Sequence, residues 1–137
     1  MIPHTINLEE TLIINEVTYK AHITCTYIGN DILIILTGGK IHIGAISLAE
    51  LSPDINVINR QTTTVSTLTL RGHKEDMITM HLAKEIAKQC EKHTVVIAGL
   101  HWDNLEKNTL STLTDWLLTK VKKRIVLATQ NKTDQES

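Results

Sequence analysis

The sequence has no phenylalanine, and tryptophan and tyrosine together make up only 3% of its 137 residues. Proteins that bind single-stranded nucleic acid stack the bases on aromatic side chains, so this scarcity argues against such a role. The formal net charge is −1, so basic residues are not in excess. Nothing in this charge balance suggests non-specific binding to a nucleic-acid backbone. We therefore expect no nucleic-acid partner.

Cysteine and long apolar runs are also scarce. The two cysteines, Cys25 and Cys90, form no CxxC pair and are interpreted as buried thiols in a reducing cytoplasm. No apolar run approaches the roughly 18 residues that a membrane-spanning helix needs, and the N-terminus lacks the basic and apolar regions of a signal peptide. These absences predict a cytoplasmic protein without a membrane partner.

The first half of the chain has the pattern of β-strands. Apolar and polar residues alternate without a break from Val17 to Tyr27, which is typical of a strand with one buried face. Gly29-Asn30 is a hairpin signal, and the apolar run Asp31–Thr37 predicts a central strand. Gly38-Gly39 suggests another turn before a strand over Lys40–Ala49. The segment "ETLIINEV" adds an earlier apolar run that ends at a plausible turn, Asn15-Glu16. These four sequential strands with short turns predict an antiparallel meander.

The second half mixes strands with helices. We predict strands at Gln61–Leu70, Thr94–Leu100 and Arg124–Thr129, and two helices with apolar stripes, one over Ile78–Cys90 and one over Leu110–Val121. The expected fold class is α+β: a mostly antiparallel β-sheet (meander) with two α-helices packed on one face as a two-layer sandwich. Residues 1–129 form the single domain, and the polar tail 130–137 is predicted to be disordered.

Ionisable residues gather around Gly72, where a strand is predicted to give way to a helix. The segment reads Arg71, Gly72, His73, Lys74 and Glu75. A helix N-terminus attracts anions through its free N–H groups, and a glycine lets a ligand approach the backbone. One interpretation is a site for a phosphate or carboxylate. The other is a solvated connection in which the acidic residues simply favour the helix dipole.

A second junction follows the predicted strand Thr94–Leu100. His101 comes at its end, and Asp103 or Asn104 is expected to cap the next helix. Strand ends beside helix starts are common ligand positions in sheets that mix α and β. The alternative for His101 is a purely structural hydrogen bond to a nearby backbone group.

His42 and Ser66 are further candidates, although neither belongs to a recognisable catalytic arrangement. His42 lies between apolar residues, where an exposed strand histidine is the simpler interpretation. Ser66 has no GxSxG context, and the spacing of His42, His73 and His101 is a weak metal signal. We assign no catalytic residue and no metal ligand.

Taken together, three segments resemble the LpdD-like prenylated-flavin chaperones. These are small accessory proteins of UbiD-type gallate or hydroxyarylic acid decarboxylases. The resemblance rests on "GGKIHIGAISLA", "TVSTLTLRGHKED" and "VVIAGLHWDNL". The matching positions are His42-Ile43-Gly44 with Ala49, Ser66 with Gly72-His73-Lys74-Glu75, and Gly99-Leu100-His101 with Asp103-Asn104. It spans roughly Asp31 to Val121, and two positions depart from the family pattern, where Lys74 replaces Arg and Leu100 replaces Ile.

The resemblance implies a protein that binds prenylated FMN, or FMN itself, as cargo for a UbiD-type apo-decarboxylase. The implied cofactor-binding residues are His42, Ser66, Arg71, Gly72, His73, Lys74, Glu75, His101, Asp103 and Asn104. Gly72 and its neighbours would bind the phosphate, while aliphatic residues with Trp102 would form a wall for the ring. An alternative is a decarboxylase subunit in which His73, Glu75 and His101 transfer protons. A third is an assembly protein without a small-molecule site.

A homodimer is also expected. The strand Asp31–Thr37 is apolar on both faces, whereas two helices can cover only one face of the sheet. A second copy of the chain would suit the other face.

Overall fold

Six strands and three helical segments make up the computed structural model, which describes residues 4–53, 56–58, 60–72 and 75–136, the last six by their backbone alone. The strands are β1 (Thr5–Ile14), β2 (Val17–Ile28), β3 (Asp31–Gly39), β4 (Ala45–Pro53), β5 (Gln61–Thr69) and β6 (Thr94–His101). The helices are α1 (Asp76–Cys90), α2 (Lys107–Trp116) and α3 (Lys122–Glu136), and a π-helical turn (Leu117–Val121) joins α2 to α3.

The strands form one sheet in the order β1-β2-β3-β6-β4-β5. All neighbours are antiparallel except β3 and β6, which run parallel. The expected α+β class with a mostly antiparallel sheet is therefore confirmed. The meander is limited to β1, β2 and β3, because β6 lies between β3 and β4.

The segment Lys40–Gly44 (the crossing loop) connects two strands that are not neighbours. It leaves β3 after Gly39, passes the carboxyl end of β6 and enters β4 at Ala45. The prediction of a turn at Gly38-Gly39 and of a strand from Lys40 was wrong. Both glycines belong to β3, and β4 begins only after the crossing is complete.

Helix α1 packs on the half of the sheet formed by β4, β5 and β6. Its buried residues recur at helical spacing, namely Thr79, Leu82, Ala83, Ile86 and Ala87. Burying a leucine or isoleucine side chain completely contributes about 1.5–3 kcal/mol, so Leu82 and Ile86, both 0% exposed, anchor the helix. It ends at Glu91, whose left-handed φ of 53° stops the helical path.

The second helical unit is longer than expected. A strand was predicted at Arg124–Thr129, but these residues continue the helix as part of α3. Leu113, Leu117, Val121, Ile125 and Thr129 are all buried and follow one another at intervals of four. In an α-helix, residues four apart are rotated by about 40° relative to each other around the helix axis. The π turn at Leu117–Val121 has more residues per turn, so it reduces this rotation and the stripe stays against the sheet.

The local β-branched composition of 124–129 is thus overridden by burial of this stripe. Thr129 is a polar residue within the stripe, and its hydroxyl donates a hydrogen bond to the Ile125 carbonyl oxygen over 2.9 Å.

The helix continues through residues 130–136, for which disorder was predicted. The side chains from residue 131 onward lie outside the described part of the chain. Within the described residues, no helix combines the length and hydropathy that spanning a membrane requires.

Both helical units pack against the same face of the sheet, as predicted for a two-layer sandwich. Alternate residues of β2 face them, including Ala21, Ile23 and Cys25, each at most 1% exposed. The opposite face (the open face) carries a central apolar patch that no helix of the described chain covers. Its residues are Leu33, Ile35, Ile46, Leu48, Leu68, Val95 and Ile97.

Candidate functional site

The crossing loop meets β6 at a glycine. A Cβ atom on Gly99 would overlap the carbonyl group of His42, so the loop can pass the strand only where a side chain is missing. The contact fixes His42 above the end of β6. Gly44 then joins the sheet, with its N–H donating to the Ala98 carbonyl over 2.8 Å.

Glu75, the residue before α1, is buried beside this crossing, with only 6% of its surface exposed. The Leu100 N–H donates to its Oε1 over 3.2 Å. β4 pairs with β6 only as far as Ala98, so the carboxylate takes the place of a missing strand as the acceptor for Leu100. The last residue of the Gly72 connection is thereby attached to the end of β6.

The same oxygen, Oε1, is bonded to His42. Nδ1 of His42 lies 2.8 Å from the Lys40 carbonyl oxygen, which can only accept, so Nδ1 carries a hydrogen. Nε2 lies 3.0 Å from Oε1 of Glu75, and a proton must lie between those two atoms for the contact to be favourable. The pair forms a charge-assisted hydrogen bond in a largely buried position.

The second carboxylate oxygen of Glu75 occupies an unusual place. Oε2 is buried and has no hydrogen-bond partner among the described residues. It lies where a side chain at position 44 would stand, because a Cβ on Gly44 would overlap the carboxylate. The carboxylate is therefore positioned through Oε1, which is bonded to His42 and accepts from the Leu100 N–H.

His101, at the end of β6, belongs to the same cluster. Its ring centroid is 6.4 Å from that of His42, at nearly a right angle. Its Nε2 lies 2.9 Å from Oδ1 of Asp103, and both side chains are well exposed, at 52% and 79%. The predicted junction of His101 and Asp103 therefore exists as a solvent-facing hydrogen-bonded pair.

A cleft of about 370 Å³ opens next to this cluster, between the starts of α1 and α2. Most of its lining is apolar, and its polar residues include the buried Glu75 and the exposed His101. The lining residues are Gly72, Glu75, Met77, Ile78, Leu100, His101, Leu110 and Thr114. Small-molecule sites are typically about 300–1,000 Å³ and combine apolar walls with a few polar groups, so this cleft has the properties of a ligand site.

The remaining predicted residues are distributed as follows. Arg71 is exposed beside Gly72, whose φ of +81° confirms a backbone conformation suited to glycine. Ser66 is exposed on the open face of β5, opposite Leu48, and is not among the described residues that line the cleft. His73 and Lys74 lie outside the described residues.

The prediction that Asp103 or Asn104 caps the second helix was wrong. Asn104 has a left-handed φ of 57° and forms a turn with Asp103, and the residue preceding the helix is Glu106, which makes no side-chain capping hydrogen bond. Trp102 packs on Gly38 and against Tyr19, with the ring centroids 5.8 Å apart. It does not line the cleft, whose described wall is aliphatic.

Sequence reasoning missed several residues of the site. Met77 and Leu110 line the cleft although 68% and 54% of their surfaces are exposed. Gly44 was noted as part of a motif but not as the space that admits Glu75. The signal for Met77 and Leu110 is weak, because single exposed apolar residues are ordinary on protein surfaces.

The two cysteines are not among the described residues that line the cleft. Burial raises the pKa of the Cys25 thiol to about 12, with a smaller contribution from Cys90. Burial also raises the pKa of Cys90, against the opposing effects of Thr129 and Lys92, although this thiol is half-buried rather than buried as predicted. Within the described part of the chain, no three His, Cys, Asp or Glu residues are grouped so as to hold a metal ion.

Comparison with known proteins identifies the family. The family model of the prenylated flavin chaperone LpdD-like domain matches residues 15–128. The chain belongs to this family. No curated protein sequence matches it. Among solved structures, a chain from the crystal structure of a chaperone complex for yeast 20S proteasome assembly has a TM-score of 0.52 at 13% identity. The match covers 92% of this chain and 98% of that one, and it indicates a shared fold only.

The cleft of this LpdD-like protein fits the ring of a prenylated flavin better than its phosphate. The lining offers aliphatic side chains, a buried carboxylate and an imidazole, and the residues described there include no lysine or arginine. Cations are available next to Gly72, as exposed Arg71 and, in the sequence, Lys74.

Proposed function

We propose that this protein is a cofactor chaperone that binds prenylated FMN and either delivers it to a UbiD-type decarboxylase or protects it until delivery. The observation that carries the proposal is the mainly apolar cleft at the end of β6, which also contains Glu75 and His101, in a chain of the prenylated flavin chaperone LpdD-like family. FMN is a weaker ligand in this proposal, because it lacks the additional apolar ring.

The ring of the flavin enters between Met77 and Leu110, with its polar edge toward His101. The phosphate lies by Gly72, where the backbone can approach it closely, and Arg71, His73 and Lys74 supply positive charge. Lys74 provides a point charge rather than the bidentate contact of an arginine. We therefore expect moderate affinity for prenylated FMN, which suits a protein that has to release its cargo.

The partner in this proposal is the apo-decarboxylase, and the exchange takes place in the cytoplasm. The cleft lies at one end of the sheet and its rim is exposed at Met77 and Leu110, so the cargo can leave without rearrangement of the core. No catalytic group is needed for transfer. Glu75, a candidate for proton transfer, is already hydrogen-bonded to His42 and to the Leu100 N–H.

A homodimer formed through the open face completes the proposal. The apolar patch there is centred on β3 and β6, where Leu33, Val95 and Ile97 remain partly exposed. Contiguous apolar patches on monomers commonly mark protein interfaces, and a two-fold axis would pair the patch with itself.

The direct test is to add prenylated FMN to the purified protein and record the flavin spectrum, together with assays for turnover of aromatic acids. A shifted spectrum of bound flavin without turnover supports the chaperone. Turnover by this chain alone would instead support the decarboxylase subunit, with His73, Glu75 and His101 as proton-transfer residues. If no flavin binds, the assembly protein without a small-molecule site is favoured.

A further inference from the structure

Two anchors on the crossing loop hold the chain on either side of residues 73–74. The Leu70 N–H donates to the Gly44 carbonyl over 2.9 Å, which ties the end of β5 to the loop. On the other side, Glu75 is bonded to His42 of the same loop over 3.0 Å. The crossing loop therefore holds Leu70 and Glu75, the two described residues that flank the segment to which the flavin phosphate is assigned.

The second anchor is a socket for the Glu75 carboxylate, formed by His42, Gly44 and Leu100. His42 donates from one side, the Leu100 N–H donates from another, and Gly44 leaves the space in which the carboxylate lies. His42 is itself oriented by the Lys40 carbonyl, which accepts from Nδ1. Each of these contacts directs the histidine ring at Glu75.

We propose that His42 is a positioning residue that acts through Glu75, rather than a residue that contacts the flavin. By holding Glu75 in the socket, it sets the position of Gly72 and of the start of α1, and thereby the affinity for the ligand. The inference rests on the proposed function, because it assigns roles within the same site.

The socket also accounts for the unsatisfied Oε2 of Glu75. Oε1 is placed by two donors, and the geometry of the carboxylate then forces Oε2 against Gly44.

A double-mutant cycle on affinity for prenylated FMN separates the two roles of His42. His42→Leu removes the donor, Glu75→Ala removes the acceptor, and each is expected to weaken binding about tenfold, the equivalent of one lost charge-assisted hydrogen bond. The double variant should bind no more weakly than Glu75→Ala alone. Additive losses, near a hundredfold in the double variant, would mean that His42 touches the ligand and would overturn the inference.

A conservative variant guards against a general folding defect. His42→Gln keeps an amide N–H that can donate to Glu75, so its affinity should stay within about threefold of the wild type, whereas His42→Leu should not recover. Equal losses in both variants would overturn the positioning role. Gly44→Ala supplies an independent perturbation, since its methyl group displaces the carboxylate, and its effect on binding should vanish when Glu75→Ala is also present.

Hydrogen exchange at the Leu100 amide distinguishes failure of this inference from failure of the proposed function. Its protection should fall in both His42→Leu and Glu75→Ala, with or without flavin. If the wild type binds no flavin, the proposed function fails, while the socket is still judged by this amide. Unchanged protection in both variants would show that His42 and Glu75 do not hold the end of β6 together.

Discussion

Replacing Glu75 by glutamine should destabilise the protein although the shape of the side chain is preserved. In the wild type one oxygen accepts from both the Leu100 N–H and His42 Nε2. A glutamine can place its oxygen there, which turns the charge-assisted bond to His42 into an ordinary one. Alternatively it can place its NH₂ there, which leaves the Leu100 N–H facing another donor. Either arrangement forfeits part of the network.

The expected cost is about 1–3 kcal/mol, the range for losing a charge-assisted bond or leaving a buried donor unpaired. With a urea m-value of about 1.5–2 kcal/mol/M for a domain of this size, a loss of about 2 kcal/mol lowers the midpoint of unfolding by about 1 M. Urea titrations followed by circular dichroism measure this directly, and the m-value should not change.

Asp103→Asn is the matched control. His101 and Asp103 form the same kind of contact at 2.9 Å, but both side chains are more than half exposed. Surface substitutions of this kind usually change stability by less than about 0.5 kcal/mol. If Glu75→Gln and Asp103→Asn cost the same small amount, the argument from burial is refuted.

Four further predictions address other parts of the molecule. Lys74→Glu places a negative charge beside the assigned phosphate and should weaken binding of prenylated FMN at least tenfold, by a loss of about 1.5–3 kcal/mol; unchanged affinity in a flavin titration would remove Lys74 from the site. His101→Ala should lower affinity while the melting temperature of the ligand-free protein stays nearly constant, and the reverse result in the same two measurements would make His101 structural. Sedimentation at micromolar concentration should give twice the chain mass, and a 15.4 kDa monomer would contradict the homodimer. Burial raises the pKa of folded Cys25 to about 12 from 9.0, so the unfolded chain loses this proton first and stability should fall as pH rises from about 9 toward 12. Cys25→Ala should flatten that part of the stability curve, and an identical alkaline slope in the variant would refute the assignment.

The strands were predictable from the sequence wherever one face is buried and the other is wet. β2 follows its alternation from Tyr19 onward, with Tyr19, Ala21 and Ile23 buried and Lys20 and His22 exposed, whereas Val17 at its start is 50% exposed. The place of β6 between β3 and β4 was not predictable in this way. It depends on a parallel pairing between segments some sixty residues apart, and the local periodicity of a sequence does not indicate which distant strands pair.

Composition misled the prediction at Arg124–Thr129. Isoleucine, valine and threonine favour strands locally, but here Ile125 and Thr129 extend a stripe with the four-residue spacing of Val121 and Leu117. The stripe buries against the sheet only as a helix, and this tertiary gain exceeds the local preference.

The structure shows where the predicted site residues lie, and their role in binding a ligand stays a prediction. The junctions at Gly72 and His101 do meet at one end of the sheet, together with His42. The bond between His42 and Glu75 could not be foreseen, because it depends on the path of the crossing loop over Gly99. Burial of a charged residue next to a glycine thirty-one positions away has no signature in the sequence itself.

The location of the flavin in the cleft is the central claim, and a pair of methionines on α1 tests it most directly. Met77 lines the cleft, whereas Met80 is exposed on the same helix and is not among the residues that line it. Titration of each variant with prenylated FMN should show at least a tenfold loss of affinity for Met77→Glu, because a carboxylate then stands in the apolar wall. Affinity of Met80→Glu should match the wild type. If both variants bind as the wild type does, or both lose affinity equally, the flavin does not bind in this cleft.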